Sequence, residues 1–323
     1  MRRSTLALIL VTTACSAPPQ AGTSNPALAQ EPVADAGPSG TVTAAGLALG
    51  APPVNGFQIV LPVVAGVEAG TSQEWCTWTE HVLDADIDIK ATQAFQTKAG
   101  HHIALFYTAN KKAPGTSHPC TNDDMATFRY ASAGGEGQGE VPLPGNLVVH
   151  VPKGMQLVMN HHYLNAGSKP VDAQSALNVR LADPGTPTTR SGAVALLDTS
   201  MHAPPGISSF DVRCTMKNDL ALWLLQPHMH QWGTHILIET KTDKLVDTAW
   251  DESYVFHPPE LRRDPQAPYV LRAGEEIHVR CTWDNPTKND LTFGLEMCVA
   301  FGQTVDAKEL GNMECNAGVW GPF

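Results

Sequence analysis

Alternation of apolar and polar positions dominates the chain from about residue 57 onward. Residues 103–108, 147–151 and 156–163 read as strands, separated by Gly- and Pro-rich stretches at 134–139 and 142–145. A second set follows at 220–225, 235–240, 276–282 and 291–301. Over 291–301 the alternation puts Leu291, Phe293, Leu295, Met297, Val299 and Phe301 on one face of a single regular strand. No long amphipathic helical period interrupts either set. Between them lies the turn-forming stretch Ala182-Asp183-Pro184-Gly185-Thr186-Pro187-Thr188-Thr189-Arg190. The pattern predicts an all-β protein of two antiparallel β-sandwich domains, 55–187 and 188–323.

The first 54 residues follow other rules. Arg2 and Arg3, an apolar core at 6–11 and small residues after it describe a signal peptide over 1–15. Its core is too short to span a bilayer. Thr12-Thr13-Ala14-Cys15 resembles a bacterial lipoprotein cleavage box, so Cys15 is the expected site of lipidation. Residues 16–54 are rich in Ala, Pro, Gly and Ser without a period, which predicts a flexible tether with order starting near Phe57. The expected location is the bacterial cell envelope, periplasm or outer surface, with membrane contact only through the lipid at Cys15.

Composition agrees with an exported, turn-rich β protein: 16 % of residues are charged, with 27 glycines and 25 prolines. A net charge of -11, from 21 basic and 32 acidic residues, repels phosphate backbones and excludes nucleic acid as a partner. The chain has no Gly-rich phosphate loop, H-E-x-x-H or G-x-S-x-G motif, and no carboxylate cluster suited to calcium. With Cys15 set aside, six of the seven cysteines remain, an even number suited to three disulfides in an oxidising compartment. None lies in a C-x-x-C pair, which leaves a thiolate zinc site without support.

The candidate chemistry lies in the histidines. In Pro227-His228-Met229-His230, the two imidazoles share one face of a strand and Met229 takes the other. Pro227 removes a ladder donor and suits a strand edge or bend. His101-His102 follows Gly100, and adjacent residues of a regular strand face opposite ways. Both reach one metal only at a strand end or bulge, a distortion that Gly100 can supply. A histidine from His161-His162-Tyr163 would complete a three-imidazole site. Met297, in Glu296-Met297-Cys298, reads by itself as core filler. Joined to His228 and His230 it describes a site suited to copper, because thioether sulfur favours Cu(I) and zinc rarely takes methionine. The single histidines, His235 among them, read as surface or structural residues, His235 being near enough to His-X-His to support it.

The order His-His, His-Tyr, His-X-His, Glu-Met-Cys resembles that of the copper type II, ascorbate-dependent monooxygenases. That family includes peptidylglycine α-hydroxylating monooxygenase and dopamine β-monooxygenase. The resemblance covers roughly residues 57–323. It implies two jelly-roll-like sandwiches facing each other across a cleft with one copper ion in each. His101, His102 and His162 would hold an electron-transfer copper, which selects His162 over His161. His228, His230 and Met297 would hold the catalytic, oxygen-binding copper. It also implies disulfides Cys76–Cys120, Cys214–Cys315 and Cys281–Cys298, the last beside Met297. The implied reaction is hydroxylation of an activated C–H bond of a small organic substrate by O2, with ascorbate or another one-electron donor as co-substrate. A copper-buffering periplasmic protein with the same ligands is the alternative.

The sequence departs from the peptide-amidating members beside the second group. Gln226 stands where they carry an arginine that grips the substrate carboxylate, and Val299 and Phe301 stand where they carry Asn and Tyr. The expected pocket is more apolar and has no carboxylate clamp.

Overall fold

The computed structural model describes residues 41–135, 139–165, 167–251, 254, 258–293, 295–307 and 312–322. The signal segment, Cys15, tether residues 16–40 and His257 lie outside them. Among the described residues, strands carry nearly all the regular structure, and the α-helix Asn122–Met125 is a single turn. No helix there is long and apolar enough to cross a membrane.

The first sandwich packs two sheets. One runs in the order Gly56–Val60, Ser175–Leu181, Ile87–Gln96, Leu147–Val151, Thr189–Arg190, with Val141–Pro142 paired to Ile87–Gln96. The other runs Ser117–Pro119, Thr71–Val82, Gln156–Asn165, Gly100–Thr108, Arg129–Gly135. Ile89, Ile103, Leu105, Leu157, Met159, Leu177 and Val179 fill the space between them. These are the inward positions of a period-2 pattern, which explains why alternation located the strands. The opposite face of the second sheet is apolar too, with Trp78, Phe106 and Phe128 packed beside the Cys76–Cys120 bridge.

The second sandwich sets a sheet of Leu261–Arg262, Leu220–His228, Val299–Thr304, Ala193–Leu197, Met313–Asn316 and Val319–Pro322 against another of Gly206–Thr215, Glu276–Asn285, Gly233–Thr240 and Lys244–Ala249. Leu196, Val212, Leu225, Met229, Ile236, Val279 and Trp283 form its core. Cys214–Cys315 connects the two sheets, Cys281–Cys298 ties the Glu276–Asn285 strand to the segment just before Val299–Thr304, and all three disulfides join the expected partners.

Two expected boundaries are corrected. Residues 41–54 are not part of a free tether. Leu47 and Leu49 are buried against Ala176 and Phe95, and Gln58 and Asn178 side chains donate to the Gly50 and Ala51 carbonyls. The crossing between sandwiches also falls later than 187/188. Thr189–Arg190 pairs in parallel with Leu147–Val148, and Ser191 N still donates to the Val148 carbonyl. From Gly192, whose N–H donates to Thr304 Oγ1, the chain belongs to the second sandwich. The halves meet through Leu147 packed on Trp223 and Leu224, and through Asn312 Nδ2 donating to the Tyr130 carbonyl at 2.6 Å.

Candidate metal centres

The first histidine group depends on a β-bulge. Gln156–Asn165 pairs with Gly100–Thr108 so that His162 faces His102 and Tyr163 faces Gly100. His101 is therefore the extra residue in this register, and it breaks the alternation that would send its side chain away from His102. Gly100 permits the distortion: a Cβ there would lie 2.1 Å from Gln96 Cβ. Gln96 in turn braces the bulge, its Nε2 lying 3.3 Å from the His102 carbonyl and 3.1 Å from Ser175 Oγ.

The outcome is three converging imidazoles. His101 Nδ1 lies 2.9 Å from His102 Nδ1 and 3.1 Å from His162 Nδ1. One ring nitrogen from each residue falls within 4.8 Å of the other two. Nitrogens bound tetrahedrally to one ion at about 2.0 Å stand about 3.3 Å apart, so the cluster fits a metal. Burial, with the neighbouring imidazoles, depresses His101 to about 4 and His102 to about 3, and burial also lowers His162. Neutral rings keep lone pairs for a cation. His162 Nε2 meets Ser72 Oγ at 2.6 Å, which fixes that ring with Nδ1 inward.

His161 does not join them. It is 1 % exposed, and its two ring nitrogens are engaged by Thr77 Oγ1 at 2.8 Å and Tyr163 Oη at 3.0 Å. The structure therefore separates the adjacent pair into a core histidine and a cluster histidine. A Gly100→Ala variant should lose about 1–3 kcal/mol of stability in urea unfolding, because its Cβ displaces Gln96. It should also weaken metal binding by the three imidazoles. An unchanged midpoint with unchanged metal affinity would show that the bulge does not need glycine.

The second group sits at an open sheet edge. Leu220–His228 pairs with Val299–Thr304 on one side down to His228, opposite Val299. On its other side its partners end at Leu225, so Pro227 occupies a position that needs no ladder donor. His228 and His230 rings lie 5.1 Å apart, and Met229 is buried beneath them in the core. Burial holds His228 at about 3. His230 Nδ1–H donates to the Leu295 carbonyl at 3.1 Å, leaving Nε2 for a metal. Trp250 Nε1 donates to the His230 carbonyl at 3.1 Å.

The reading of 291–301 as one strand is corrected. Leu291–Thr292 ends the first piece, and Leu295 N and Glu296 N both turn back to the Thr292 carbonyl. The ladder resumes only at Val299. Leu295 is 61 % exposed and Val299 1 %, so the two do not share a buried face. The break carries Met297 past the histidine pair: its neighbours Leu295 and Glu296 bond to His230, and Val299 faces His228. Met297 and Phe301 each pack against the buried cluster of Ala195, Leu197 and Val299, and the Phe301 ring lies 5.8 Å from that of His228.

The first group lies on the Gly100–Thr108 and Gln156–Asn165 strands of one sandwich, and the second at the end of Leu220–His228 in the other. His235 does not support either: it faces Asp247, Nε2 to Oδ1 3.0 Å, on an exposed part of the sheet. The residue that motif reading passed over is Glu296, a carboxylate inside an otherwise apolar run and 0 % exposed. Burial pushes its carboxyl up, opposed by His230 and by three backbone N–H bonds.

No protein-family model and no curated protein matches the chain. Among solved structures, the major capsid protein P2 from bacteriophage PM2 is similar at a TM-score of 0.33 and 8% identity, over 78% of this chain and 98% of that one. Peptide:N-glycanase F is similar at 0.32 and 12%, over 78% and 96%. Neither likeness bears on what the two histidine groups do.

Proposed function

We propose that this chain is a dicopper monooxygenase that hydroxylates an activated C–H bond of a small organic substrate, using O2 and a one-electron donor such as ascorbate. The observation that carries the reading is that the chain holds two unlike donor groups, one in each sandwich. His101, His102 and His162 offer three neutral imidazoles. His228 and His230 stand beside the segment that carries a thioether. Imidazoles alone suit several metals, and the thioether is what favours Cu(I). Copper at these groups would supply one-electron transfer and activation of O2.

The chain's own residues do the rest. His230 is held in one tautomer by the Leu295 carbonyl, and His162 is oriented by Ser72. Val299, opposite His228 in the ladder, and Phe301, whose ring lies 5.8 Å from His228, make that side apolar. Gln226, opposite Phe301, offers a neutral amide in place of a cation, which favours substrates without a carboxylate. The three disulfides support export to an oxidising compartment, and we place the protein in the bacterial cell envelope with Cys15 as its anchor.

Copper-loaded protein supplied with ascorbate is expected to consume O2 in step with hydroxylated product across a panel of small uncharged substrates. Full copper loading with only uncoupled oxygen reduction over that panel would replace this reading with copper buffering.

A further inference from the structure

The ladder between Leu220–His228 and Val299–Thr304 ends at the pair His228–Val299. Beyond it, His230 follows one strand and Met297 precedes the other, and neither is held by sheet hydrogen bonds to its neighbour strand. Two chain segments that must present donors to one ion thus leave the sheet just where they need to be fixed.

Glu296 fills that gap. Its Oε1 accepts from His230 N at 2.5 Å and from Met297 N at 3.3 Å, and its Oε2 accepts from Trp232 N at 3.1 Å. Oε1 also lies 3.9 Å from His230 Nδ1. One carboxylate therefore joins backbone groups from both segments, at the two candidate ligands themselves. A fully buried carboxylate is costly in an apolar sandwich edge unless each oxygen is satisfied. Here three N–H donors satisfy it, and two of them, His230 N and Met297 N, lie just beyond the last ladder pair.

We propose that Glu296 is a positioning residue that sets the separation of His230 and Met297, and so determines whether the histidine pair and the thioether hold one Cu(I) together. This rests on the copper reading above. A Glu296→Gln variant has the same shape but turns an amide NH2 toward N–H donors, leaving either Trp232 N, or both His230 N and Met297 N, without an acceptor.

The test is Cu(I) titration against a chromophoric chelator, with X-ray absorption at the copper edge. In Glu296→Gln the affinity of this group should fall 10–100-fold and the copper–sulfur scattering should disappear. Affinity of the His101/His102/His162 group should not change. Glu296→Asp, which keeps the charge on a shorter arm, should recover part of the sulfur signal and serves as the measured variant if Glu296→Gln does not fold. Wild-type affinity and full sulfur scattering in whichever variant is measured overturn the positioning role. Absence of copper–sulfur scattering in the wild type overturns the copper reading itself instead.

Discussion

Replacing His162 by alanine is expected to abolish coupled hydroxylation, by about 100-fold or more, while the protein stays folded and keeps one copper. A hundredfold loss corresponds to about 2.7 kcal/mol of barrier. The imidazole contributes a third of the donor atoms of its cluster, with Nδ1 3.1 Å from His101 Nδ1. Its other contact is to the exposed Ser72 hydroxyl, which water replaces, so the cost to stability should stay within about 1 kcal/mol. His228 and His230 share no bond with it, and their copper should keep its sulfur scattering. Activity and copper content are read on the same samples. An enzyme that moves an electron between the groups loses turnover far out of proportion to the one copper lost. A buffering protein loses stoichiometry alone, and that result would count against the monooxygenase reading.

How much of this was legible in the sequence differs by feature, for physical reasons. Period-2 alternation is imposed by a core between two sheets, so 276–282, where the buried Ile277, Val279 and Cys281 alternate with Glu276, His278 and Arg280, could be read from residue order. The same rule misread 291–301. Its alternation is unbroken, yet the chain turns back on Thr292 and leaves Leu295 in solvent. Alternation records which side chains are apolar, and a turn that exposes one of them leaves no mark in that record. Residues 41–54 were misread for the opposite reason: two leucines in a Pro- and Gly-rich stretch give no period, but Leu47 and Leu49 suffice to dock it on Ala176 and Phe95. At the sites, the bulge at His101 was foreseeable because two adjacent histidines cannot face one way without it, and Gly100 supplied the means. Glu296 was visible only as a charge in an apolar run. Its partners on the His230 segment lie 64 and 66 residues away, beyond any local pattern.

The two disulfides of the second sandwich should separate stability from metal binding. Cys214–Cys315 closes a span of 101 residues and Cys281–Cys298 one of 17. Chain-entropy estimates give about 4.7 kcal/mol for a loop of 100 residues and about 3 for one of 15. A Cys214→Ser/Cys315→Ser protein should therefore show the larger fall in guanidinium unfolding, by about 1–2 kcal/mol over Cys281→Ser/Cys298→Ser. Metal binding should rank the other way. Cys298 adjoins Met297 at the point where the ladder has not yet resumed, and its bridge ties that segment to the Glu276–Asn285 strand. Cys315 lies on the Met313–Asn316 strand, which pairs with Ala193–Leu197 and not with the Met297 segment. Loss of the short bridge should release Met297 and remove copper–sulfur scattering, whereas loss of the long bridge should leave it intact in the fraction still folded. If both variants lost sulfur scattering only in proportion to unfolding, the short bridge would have no part in placing Met297, and Glu296 alone would have to hold the thioether beside His230.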